Sequence, residues 1–254
     1  MKRNLQAIRA LMRRGLNEIL RVPVAALPGI LAPTIFLLGM AAVFGKAASL
    51  EEYGGVSFLA FLLPVGMLQG AGFTGAATGV NLARDIERGW FDRMLLAPTP
   101  RPVLLAGFIA SASLRALLPA SFLLAVALAL GVDWPGLLEI AIAAVLVMGL
   151  AAAVACYSTL IALRFRTQQA APLMQMGSFI AVLFTTSYAP RDLLAGWLGA
   201  IADINPVTHV LEGARQGFVG DVTWAATWPA LLSVSALVLV FGALAVRGMR
   251  RQGF

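Results

Sequence analysis

Residues 140–163 read IAIAAVLVMGLAAAVACYSTLIAL, twenty-four positions without one charged side chain. At about 1.5 Å per residue a helix of this length covers roughly 36 Å, enough to cross a hydrocarbon core of about 30 Å. A helix on the surface of a soluble protein would carry a polar stripe. None runs along this one. Five further runs share its character: 22–45, 53–83, 102–132 (interrupted by Arg115), 167–190 and 222–246. Hydrocarbon offers backbone N–H and C=O groups no partner, so each run must satisfy its own, and the helix does so within one segment. The expected fold class is therefore all-α integral membrane, with six transmembrane helices in a single transmembrane domain covering 1–254.

The rest of the composition agrees. The chain is 60% hydrophobic and only 12% charged, where soluble domains carry about 25% charge, and its mean hydropathy is +0.86. A net charge of +7 raises the question of nucleic acid. The arginines stand at the edges of the apolar runs and not on one soluble face, which excludes that partner. Their placement instead sets orientation. Fifteen Lys and Arg fall before the first run, between the second and third, between the fourth and fifth, and after the last. Only Lys46, Arg191 and Arg215 fall on the opposite side, where Glu51, Glu52, Asp133, Asp192, Asp203, Glu212 and Asp221 also stand. The positive-inside rule then puts both termini in the cytoplasm, with the chain in the plasma membrane. Cys156 is the lone cysteine and forms no intrachain disulfide. Residues 1–21 are basic, but no short apolar core with a small-residue cleavage site follows, so no cleavable signal peptide is expected. Leu5, Ile8, Met12, Leu16, Ile19 and Leu20 recur there at helical spacing among Lys2, Arg3, Arg9, Arg13 and Arg14. This predicts an amphipathic helix suited to the cytoplasmic interface.

Between the second and third runs lies a segment too rich for a connector: Arg84-Asp85-Ile86-Glu87-Arg88-Gly89-Trp90-Phe91-Asp92-Arg93-Met94-Leu95-Leu96-Ala97-Pro98-Thr99-Pro100. A plain loop would be short and polar. Here charges of both signs accompany Phe91, Met94 and Leu95, which share a face at helical spacing and could seat in a partner's groove. Pro98 and Pro100 end the helix. The stretch 83–101 resembles the E-R-G-x-x-[DE]-x-[LM]-x-x-x-P segment of type-2 ABC exporter permeases, most of all their daunorubicin-resistance branch. Glu87, Arg88, Gly89, Asp92, Met94 and Pro98 match, with Trp90 and Phe91 at variable positions. The resemblance implies that 84–100 is the coupling helix docking on an ABC nucleotide-binding ATPase subunit, with Glu87, Arg88, Gly89, Phe91, Asp92, Arg93, Met94 and Pro98 as its contacts.

Two more segments carry the resemblance. In 190–221, Trp197, Ile201, Asn205, Pro206, Thr208, Glu212 and Arg215 follow the family's P-x-W…N-P-x-[TS]-x-x-x-[ED]-x-x-R element. That implies short re-entrant helices at 191–221, dipping into the outer leaflet before the last span. The residues agree, because the stretch is half apolar, too charged for a span, and broken at Asn205-Pro206. Irregular backbone at membrane depth must be buried in protein or line a wet cavity, so this element is expected to cap the route. The second run is similar to the family's Y-x-x-F-L-x-P-G opening at Tyr53, Phe61 and Pro64, and departs from it at Val65.

Gly66, Gly70, Gly75 and Gly79 form small-xxx-small pairs, which permit close helix packing within the chain or against a second permease. Pro28 and Pro33 predict a kink in the first span. Arg115 is the clear intramembrane charge; it lines a substrate route, binds anionic lipid, or snorkels to the interface. Glu139 is interfacial. The hydroxyls at 157–159 and 185–187 are expected to bond back to their own helices.

No G-x-x-x-x-G-K-[ST] phosphate loop occurs, so ATP and Mg²⁺ are expected on the partner ATPase and no cofactor on this chain. His209, the only histidine, lacks neighbours at metal-ligand spacing. Neither a metal site nor a catalytic residue is expected, and the chain is read as a transporter subunit that is not itself an enzyme. A carboxylate-driven, ion-coupled transporter would need acids at mid-span and inverted repeats, and neither is visible. The expected function is ATP-driven export of a hydrophobic or amphipathic drug, antibiotic or lipid by a dimer of permeases. Polysaccharide or lipid-linked glycan is the alternative cargo.

Overall fold

The computed structural model describes residues 2–21, 27–45, 56–96 and 99–251. Ten α-helices follow in order: α1 Lys2–Arg21, α2 Leu27–Phe44, α3 Phe58–Glu87, α4 Trp90–Leu96, α5 Arg101–Ala129, α6 Leu137–Phe165, α7 Ala171–Leu183, α8 Gly196–Ile204, α9 Pro206–Val219 and α10 Trp224–Arg251. Among the described residues there is no strand. The predicted starts of the first two spans, at 22 and 53, lie outside the described residues, as do Lys46, Glu51, Glu52, Tyr53 and Pro98.

Among the described residues, five helices are long and apolar enough to cross a membrane: α2, α3, α5, α6 and α10. Where the apolar run 167–190 predicts another span, the chain forms a single 3-10 turn at Gln168–Ala170 and then α7, only 13 residues long. That helix measures about 20 Å, short of a core of about 30 Å. It stops early because Thr185 and Ser187 turn their hydroxyls back onto the Val182 carbonyl, at 2.7 and 2.6 Å. Side-chain oxygens bound there compete with continuation of the ladder.

The most buried helix, α3, packs against α2, α5, α6, α7 and α9. Ser57 caps its start by accepting from the Ala60 N–H at 3.2 Å. The glycine stripe serves contacts within the chain. A Cβ on Gly79 would lie 2.5 Å from the Ser158 Cβ, so only glycine lets α3 and α6 approach this closely. Across the same seam Ser158 donates to the Gly75 carbonyl at 2.9 Å while also reaching Ala155 in its own helix. The amphipathic α1 packs along α5 and keeps Arg9, Arg13 and Arg14 exposed.

Candidate functional site

The motifs read from the sequence gather toward the two ends of α3, a helix about 45 Å long. At the basic end, α3 turns into α4 through Gly89, whose φ of 69° lies in the left-handed region that favours glycine. Glu87 faces sideways across this turn. Its carboxylate accepts from Thr167 Oγ1 at 2.8 Å, the Gln168 backbone N–H at 2.9 Å and Gln168 Nε2 at 2.5 Å. Arg84 adds a bond to Gln168 Oε1 at 3.1 Å. These contacts clasp the end of α3 to the loop that opens α7. Asp92 adds an ion pair at 3.8 Å to Arg166, the left-handed cap of α6.

A second clasp ties in α1. The Arg14 guanidinium donates to both Asp85 oxygens, at 2.7 and 2.8 Å, and its carbon stands 5.5 Å from the centre of the Trp90 ring. Both bonds leave one nitrogen, Nη2, and a contact between opposite charges is shorter and stronger than one between neutral groups. Arg101 closes the far end of α4 by donating to the Leu95 carbonyl at 2.9 Å.

The expected apolar docking face is corrected here. Phe91 is fully buried, and Met94 and Leu95 pack half-buried on the same core. The spacing rightly places the three on one side of α4, but that side turns into the chain's own bundle, where burying the Phe91 ring stabilises the turn by about 1.5–3 kcal/mol. Glu87 is likewise engaged by Thr167 and Gln168, so it positions the turn instead of standing free. What α4 leaves outward is Trp90 (53% exposed) and Leu96 (86% exposed), with Arg88, Asp92 and Arg93 beside them. The predicted helix 84–100 is thus divided, its first four residues being the last turn of α3.

At the opposite end, the Asn205-Pro206 break works as a joint. The Asn205 amide donates to the Ala181 and Phe184 carbonyls at 2.7 and 2.8 Å, closing the end of α7. Its Oδ1 accepts the Val207 N–H at 3.0 Å and caps α9. Pro206 occupies the first turn of α9, where a missing N–H costs nothing. Thr208 holds α8 through the Ala202 carbonyl at 2.7 Å.

Arg215 is buried and lies over Phe61, 3.8 Å from the ring centre. It donates to the carbonyls of Phe61 at 3.2 Å and Ser187 at 3.1 Å. The Phe61 carbonyl sits in the turn of α3 that Pro64 interrupts. Glu212 is exposed and accepts from Thr186 at 3.3 Å. Trp197 is 63% exposed, with its ring edge-on to Phe184. At this same end Arg191 pairs with Asp203, at 2.7 Å through its Nε, and holds that carboxyl below the ordinary carboxylate range.

Arg115 borders the basic-end cluster. It is buried, bonds Thr78 at 2.6 Å, and lines a small cavity of about 40 Å³ together with Arg14, Asp85 and Ser111. Sequence spacing does not reveal Arg14, Asp85, Thr167 or Gln168 as members of the basic-end cluster, since their contacts join positions 71 to 84 residues apart. The one available signal is that Asp85 and Glu87 are acids in a stretch otherwise rich in arginine.

A family model described as ABC-2 type transporter matches residues 6–219. The chain is 28% identical over 247 residues to the daunorubicin resistance ABC transporter permease protein DrrB1 of Streptomyces coeruleorubidus, covering 94% of this chain and 84% of that one. It is also 23% identical over 201 residues to YbhR of Escherichia coli K12, described as a probable multidrug ABC transporter permease, covering 77% of this chain and 51% of YbhR.

Proposed function

The chain belongs to the ABC-2 type transporter family, and from that membership we propose that it is the permease half of an ATP-driven exporter of hydrophobic or amphipathic molecules. The observation that carries this reading is α4, pinned at its base and bare outside. Phe91 is buried beneath it, Arg14 and Asp85 hold one flank, and Asp92 and Arg101 secure the other. A short helix fixed in this way transmits a push without yielding, and its outward Trp90, Arg88, Arg93 and Leu96 suit a groove on a nucleotide-binding subunit. ATP and Mg²⁺ reside on that subunit.

Force applied to α4 has two ways onward. One runs through Glu87 to Thr167 and Gln168, and so into α7; the other runs along α3. Both reach the outer joint, where Asn205 holds the end of α7 and Arg215 holds Phe61 of α3. Outward opening is therefore a displacement of α7 and α9 relative to α3.

The termini lie in the cytoplasm of a cell whose plasma membrane holds the protein. Both α1 and the end of α10 are basic, and the positive-inside rule puts them on one side. An even number of crossings follows, with α7 and the residues after it completing the sixth. A second permease covers α2, whose Leu31, Ile35, Phe36 and Val43 are exposed. The names of DrrB1 and YbhR support a drug-like cargo. Co-expression with a Walker-motif ATPase from the same genome tests the docking: Trp90→Ala/Leu96→Asp should lose the ATPase on purification yet remain in the membrane. Undiminished co-purification would refute it.

A further inference from the structure

An open groove of about 640 Å³ runs between α5 and α10 on the outer wall of the bundle. Leu105, Ala106, Leu239 and Ala243 line it, and Arg247 and Arg250 stand at one end. Leu239 is 71% exposed, so nothing among the described residues covers it. From Leu239 to Arg250 the helix advances about 16 Å, close to one leaflet of a hydrocarbon core of about 30 Å. The apolar part therefore has the depth of one layer of acyl chains, and the cations fall at headgroup level. Both arginines are exposed, and among the described residues neither takes part in an ion pair. The first turn of α5, at Pro102, opens at the same end and adds the positive pole of a helix dipole. Small residues, Ala106 and Ala243, leave the room that bulkier ones would fill.

We propose that this groove is a binding site for one anionic phospholipid of the arginine-side leaflet, its phosphate held by Arg247 and Arg250 and an acyl chain lying between α5 and α10. The charge pattern selects the lipid. A zwitterionic headgroup of the same size gains less from two unpaired cations, and an apolar partner helix would leave them unanswered. Ordinary snorkelling explains either arginine alone. It does not explain two, one turn apart, at the mouth of an apolar channel one leaflet deep.

The site requires only that the chain sits in a membrane. It is tested on the isolated permease, so its failure is separable from failure of the export reading. The full-length protein in detergent is given phosphatidylglycerol or phosphatidylcholine of matched chains, and retained lipid is counted by native mass spectrometry. The expected result is one phosphatidylglycerol per chain in preference to phosphatidylcholine. Arg247→Gln/Arg250→Gln should weaken retention about thirtyfold, from the attraction of two surface cations for anionic lipid. Ala243→Trp, which fills the groove, should abolish retention with both arginines in place, whereas Arg9→Gln/Arg13→Gln on exposed α1 should leave it intact. Equal retention of the two lipids, or equal loss in the α1 variant, overturns the proposal. So does competition by glycerol phosphate as strong as by the lipid, since the groove would then contribute nothing.

Discussion

Replacing Asn205 separates two roles that one side chain performs. Alanine removes all three of its hydrogen bonds: two amide bonds to the Ala181 and Phe184 carbonyls and the cap accepted from Val207. Loss of an asparagine cap costs about 1 kcal/mol. Each lost backbone bond costs about 0.5–1.5 kcal/mol more. Asn205→Ala should therefore destabilise the outer joint by about 2–4 kcal/mol. Aspartate is the sharper probe. It keeps the oxygen that caps α9 but turns a second oxygen, negatively charged, toward two carbonyls that previously received protons. If Asn205 mainly caps α9, the aspartate variant should match the wild type. If it ties α7 to α9, the order of thermal midpoints in detergent should be asparagine, then alanine, then aspartate. Midpoints for Asn205→Asp at or above wild type would refute the joint, and with it the proposed route from α7 to the outer cap.

Other outcomes follow from the same contacts. Phe91→Ala, which empties a fully buried site, should cost about 3–5 kcal/mol, visible as lost folded yield, while Trp90→Ala leaves the midpoint unchanged and lowers ATPase association. Arg14→Gln, which leaves the largely buried Asp85 carboxylate without its cation, should cost about 1–3 kcal/mol and reduce the stimulation of ATP hydrolysis by substrate. Gly79→Leu should force α3 and α6 apart, by about 1–3 kcal/mol or more of overpacking, read as a lower midpoint. The pH response of the outer pair has a definite sign. The Asp203 carboxyl is held low by Arg191, so the stabilisation is present above the ordinary carboxylate value of about 3.9 and is lost as pH falls through the lower folded value. The midpoint difference between wild type and Arg191→Gln should thus be constant from pH 8 to 5 and shrink below about pH 4.

The sequence makes the long helices legible because hydrocarbon leaves the backbone one solution, and an uncharged run such as 140–163 has no competing reading. Gly89 and Asn205-Pro206 are legible for local reasons: one needs a left-handed turn, the other combines a cap with a first-turn proline. What stays hidden is whichever contact depends on folding. The stripe of Phe91, Met94 and Leu95 announces a buried face without saying whether a partner or the chain itself buries it. Glu87 reads as a free docking charge until Thr167 and Gln168, 80 and 81 positions away, are brought to it. The run 167–190 is as apolar as its neighbours, and only the turned-back hydroxyls of Thr185 and Ser187 reveal why its helix stops at Leu183. Arg215 looks like an external cation by its charge, whereas its guanidinium is committed to the carbonyls of Phe61 and Ser187.

The central claim is that this chain moves cargo only when an ATPase pushes on α4. Co-reconstitution of the permease with its nucleotide-binding subunit in sealed vesicles, followed by ATP-dependent movement of a fluorescent amphipathic drug, tests it most directly. The account predicts movement that requires both subunits and hydrolysable ATP, and that Trp90→Ala/Leu96→Asp abolishes. Movement driven by an ion gradient through the permease alone, or ATP-driven movement undisturbed by that variant, would contradict it.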